Sequence, residues 1–89
     1  MKRDFDPLSN LVSFSTFILS LNTAALVHLG EIPDPITQKK QTNLLLAKQT
    51  IDTLEMLKEK TKGNLSIEEE KLLESILFEL KLKYVKLID

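Results

Sequence analysis

From Pro7 to Gly30 the chain reads PLSNLVSFSTFILSLNTAALVHLG, without one Asp, Glu, Lys or Arg, in a protein of which 28% of the residues are charged. At the helical advance of 100° per residue, five of its six hydroxyl side chains, all but Ser15, fall in one narrow stripe: Ser9, Ser13, Thr16, Ser20 and Thr23. The rest of the helix surface is mostly apolar, with Leu8, Leu11, Val12, Phe14, Phe17, Ile18, Leu19, Leu21, Ala24, Ala25, Leu26 and Leu29. A surface helix ordinarily carries an apolar arc of about 100°, and this arc is roughly twice as wide. Such a helix needs cover on several sides, from its own chain, from a partner or from lipid.

The remaining composition narrows the answer by exclusion. A chain of 89 residues makes one domain, near the size at which a single core is marginal without help. There is no cysteine, which removes disulfide staples and thiolate metal sites. A single His removes a multi-histidine metal site within one chain. No cofactor and no metal are expected. The 12 basic and 13 acidic residues leave a net charge of −1 and are mixed along the chain. A nucleic-acid binder shows a basic face instead, so nucleic acid is not an expected partner.

Targeting signals are weak. Met1-Lys2-Arg3 is basic, but Asp4 and Asp6 follow at once and no clean small-residue cleavage site closes the apolar run, against a signal peptide. Leu11 to Leu29 is long enough to cross a bilayer, yet Asn22, His28 and the hydroxyl residues interrupt it. A cytoplasmic location is expected, with membrane association through residues 11–29 as a competing expectation.

Taken in order, residues 1–5 read as a mobile tail and residues 6–89 as a single helical domain. Asp6-Pro7 reads as an N-cap with proline at the first helical position, and a first helix is predicted from about 7 to 29. Gly30 suits its left-handed end, and Pro33 and Pro35 oppose an immediate restart. Asn43 caps a second helix over about 43–62, with a one-sided face of Leu44, Ala47, Ile51, Leu54 and Leu57. Lys58, Lys60 and Lys62 complement its dipole, and Gly63-Asn64 ends it. Ser66 and Glu69 have the spacing of a capping box, which opens a third helix over about 66–87. Its main face is Leu73, Ile76, Leu77, Leu80, Tyr84 and Leu87; Phe78, Leu82 and Val85 lie on nearly the opposite side. The predicted fold is all-α: a three-helix antiparallel bundle, completed by homo-oligomerisation, most simply a twofold dimer.

Several blocks carry a family likeness: Val27-His28-Leu29-Gly30-Glu31, Asp34-Pro35, Ala47-Lys48, Ile51-Asp52 and Lys60-Thr61-Lys62-Gly63-Asn64-Leu65. From Phe14 to Val85 the chain resembles the small bacterial family catalogued as domain of unknown function 1844. The resemblance implies a short helical bacterial protein with no established activity. It brings no catalytic residues to this sequence.

Two groups of residues stand out as candidate sites. His28, at the carbonyl end of the first helix, where a protonated imidazole is favoured, is followed by Glu31 and Asp34. A polar or metal-binding cluster of these three, extended by Lys48 and Asp52, is one reading. The preferred reading is plainer: His28 caps its own helix end or pairs with Glu31, and Lys48 and Asp52 make an exposed pair four residues apart. The second group is an oligomer interface. With Leu8, Leu11, Val12, Ile18, Leu19 and Leu26 turned towards the chain's own helices, Phe14, Phe17, Leu21 and Ala24 are left for a partner's equivalent helix, with Phe78, Leu82 and Val85 at the edge. The hydroxyl stripe then faces either solvent, the preferred expectation, or a closely packed neighbouring helix.

The expected function is a non-enzymatic interaction or scaffolding protein that binds itself and an unidentified protein partner. A binder of small apolar or lipid-like ligands, with Phe14 and Phe17 lining a slot between helices, is the competing class.

Overall fold

The computed structural model describes residues 12–89. Three helices pack against one another: α1 (Phe14–His28), α2 (Leu44–Lys60) and α3 (Ile67–Ile88). Among the described residues there is no strand, only an isolated bridge between Leu29 and Thr42 at the end where α1 hands over to α2. Both connections reverse the chain. The start of α2 (Lys48, Ile51) therefore shares a groove with the end of α3 (Tyr84, Val85), and the end of α2 (Lys58) shares one with the start of α3 (Glu70, Leu73). The order is up, down, up.

Each helix begins where a side chain satisfies an orphan backbone N–H. The Asn43 Oδ1 accepts from the Leu46 N–H at 3.0 Å. The Ser66 Oγ accepts from the Glu69 N–H at 3.1 Å while the Glu69 Oε1 accepts from the Ser66 N–H at 2.8 Å, a complete capping box. The start of α1 departs from the expectation. Ser13 is extended (φ −147, ψ 163), its Oγ accepts from the Thr16 N–H at 3.1 Å, and the Thr16 Oγ1 accepts from the Ser13 N–H at 3.1 Å. A helix running unbroken from residue 7 is thereby ruled out, because Ser13 has left helical geometry and spends its side chain on the cap. The mobile tail and the Asp6-Pro7 cap lie outside the described residues.

Helix ends follow the glycines. Gly30 sits at φ +79 and Gly63 at φ +86, a region that residues with a Cβ enter only at a cost. At Gly30 the requirement is double, since a Cβ there would stand 2.6 Å from the Thr42 Oγ1. The segment between α1 and α2 is tied by its own hydrogen bonds. The Asp34 Oδ1 accepts from the N–H groups of Ile36 and Thr37, the Gln38 N–H donates to the Asp34 carbonyl, and the Asn43 N–H donates to the His28 carbonyl at 2.7 Å.

The core is Ile18, Ala25 and Leu29 from α1 and its end, Ala47, Ile51 and Leu54 from α2, and Leu73, Ile76, Leu77 and Leu80 from α3. Full burial of Ile18, Leu54, Leu73 and Leu80 stabilises the fold by roughly 1.5–3 kcal/mol for each side chain. The α2 and α3 core residues all belong to the faces their periodicity predicts, but Leu87, expected on the main face of α3, is 45% exposed in its last turn. In α1 the expectation holds for Ile18, fully buried, and Leu26, packed against the core; Leu8 and Leu11 lie outside the described residues, and four other positions differ. Phe14 and Leu21, expected to face a partner, pack against the chain's own core, whereas Val12 and Leu19, expected inside, are 86% and 44% exposed. Ala25 of α1 and Ala47 of α2 are both fully buried in this core, and side chains this small permit short distances between helix axes.

Candidate interaction surface

With Phe14, Ile18, Leu21, Ala25 and Leu29 turned inward, the opposite side of α1 faces solvent. Ser13, Thr16, Ser20 and Thr23 are all exposed there, so within one chain the hydroxyl stripe lies on the solvent side, as preferred from the sequence. Phe17, 49% exposed, and Leu19 flank the stripe, and Ala24 is half-buried beside it. No residue of α1 except His28 carries an ionisable side chain. Two hydroxyls of the stripe bond inward to their own helix: Thr16 Oγ1 donates to the Ser13 carbonyl at 3.0 Å and Thr23 Oγ1 to the Leu19 carbonyl at 3.1 Å. Hydroxyl donors satisfied in this way do not need water, so covering them carries a smaller desolvation penalty.

The other three expected interface residues, Phe78, Leu82 and Val85, form an exposed stripe along α3, with Phe78 66% exposed. A slot between helices lined by Phe14 and Phe17 does not form: Phe14 packs on the core and Phe17 lines a shallow surface depression with Val12, Ser13, Thr16 and Ser20. Among the described residues no helix is long and apolar enough to cross a membrane, because α1 spans only Phe14–His28.

The polar residues singled out from the sequence are distributed over three places. The Lys48 Nζ donates to both oxygens of Asp52, at 2.9 and 3.2 Å, in an exposed pair one helical turn apart. That hydrogen bond, followed by the charge of Asp52, raises the Lys48 pKa above the ordinary lysine range. Glu31 does not pair with His28; its Oε1 accepts from the Lys83 Nζ at 3.2 Å, across to α3. The Asp34 carboxylate is spent on its own turn. It nonetheless lines, with His28, Gln41 and Asn43, a shallow pocket of about 150 Å³. Among the described residues no three His, Cys, Asp or Glu side chains stand where they could hold a metal ion.

Periodicity gave no signal for two long-range ties, Glu31 with Lys83 and Glu55 with Lys81. Pairs between separate helices have no fixed spacing along the sequence.

A family model described as a domain of unknown function, DUF1844, matches residues 11–86. The chain belongs to this family. The match spans every DUF1844 element described above, from the cap of α1 to the last turns of α3. No curated protein and no solved structure matches the chain.

Proposed function

We propose that this DUF1844 protein is a non-enzymatic, cytoplasmic interaction module that self-associates through the outer face of α1. One observation carries the proposal: α1 turns to solvent a face free of charge over its whole length, flanked by exposed Phe17 and Leu19. A free-standing soluble domain ordinarily charges such a face, and an uncovered patch of this kind marks an interaction site. A second copy of the same face suits it, since a twofold contact sets the patch against itself and a neutral face brings no like charges together. Small hydroxyl and alanine side chains permit close helix approach.

The test is light scattering on the wild type and on Ser20→Glu. Ser20 is exposed, so a charge there leaves the chain's own core untouched. The wild type should have the mass of a dimer or larger closed assembly, and Ser20→Glu the mass of one chain with unchanged helical circular dichroism. A monomeric wild type, or a mutant of undiminished mass, contradicts the proposal.

A further inference from the structure

We draw no further inference here: the strongest candidate, the exposed Phe78–Leu82–Val85 stripe on α3, carries nothing, because nothing in the structure shows what covers it.

Discussion

Gly30 and Gly63 share a left-handed backbone but not a neighbourhood, and this makes them a matched pair. A Cβ at Gly63 would meet no atom within 4 Å, whereas at Gly30 it would stand 2.6 Å from the Thr42 Oγ1. Gly63→Ala therefore isolates the backbone contribution. The left-handed conformation costs a non-glycine residue roughly 1–2 kcal/mol, offset by about 0.4–1 kcal/mol because alanine restricts the unfolded chain. The expected net loss is about 1 kcal/mol. Gly30→Ala adds the clash, which Thr42 relieves by leaving its rotamer at a cost of order 0.5–1.5 kcal/mol, for a total of about 2 kcal/mol. For a domain of this size that difference between the two mutants is worth several degrees in melting temperature. Urea denaturation at one fixed protein concentration is the assay, because association would otherwise shift the midpoint. Thr42→Ala in the Gly30→Ala background should return the loss to the Gly63→Ala level, as a double-mutant cycle reads it. Equal midpoints for the two alanine mutants, or no recovery on removing the Thr42 hydroxyl, would refute the account of the α1–α2 junction.

Other outcomes follow from the same geometry. Ser66→Ala and Ser13→Ala should each lose about 1 kcal/mol in urea melts, since each hydroxyl caps a helix. Leu54→Ala, at a fully buried position, should lose about 2–5 kcal/mol, while Leu45→Ala, largely exposed on the same helix, should lose far less. The Lys48 ammonium should titrate above the ordinary lysine range in NMR and return to it in Asp52→Asn. Because the folded value is the higher one, any stability from this pair is complete below the unfolded lysine pKa and disappears as the pH rises through the folded value. Asp52→Asn at neutral pH should leave the urea midpoint nearly unchanged, as expected of a solvent-screened pair.

The sequence was most legible where chemistry is local. Asn43, Ser66 with Glu69, Gly30 and Gly63 mark helix ends through bonds and dihedral angles that depend on a few neighbouring residues, and all of them sit where the residue types imply. α2 and α3 were legible for a second reason: each has one principal apolar face, so only one rotation buries it. α1 lacked that constraint. An arc of roughly 200° admits several rotations, and the one that packs Phe14 and Leu21 on the core but exposes Leu19 depends on how α2 and α3 meet it, which α1 alone does not encode. The start of α1 was hidden by its composition. Ser13 and Thr16 belong to the hydroxyl stripe, and that regular spacing masks their role as a cap. The polar group around His28 failed to gather for a different reason: Glu31 found Lys83, which is far away in sequence.

The absence of cysteine in the natural chain allows the face of α1 to be tested directly. Thr16→Cys, Ser20→Cys and Thr23→Cys each place one thiol on the exposed stripe, and Gln49→Cys places one on the exposed side of α2. A disulfide requires Cα atoms within about 7 Å, which a closely packed twofold pair of α1 helices provides near its axis. Under mild oxidation, at least one of the three α1 variants should convert quantitatively to a covalent dimer with wild-type circular dichroism, and Gln49→Cys should stay monomeric on a denaturing gel. Failure of all three α1 positions, or cross-linking that is as efficient through Gln49→Cys, would contradict self-association through this face.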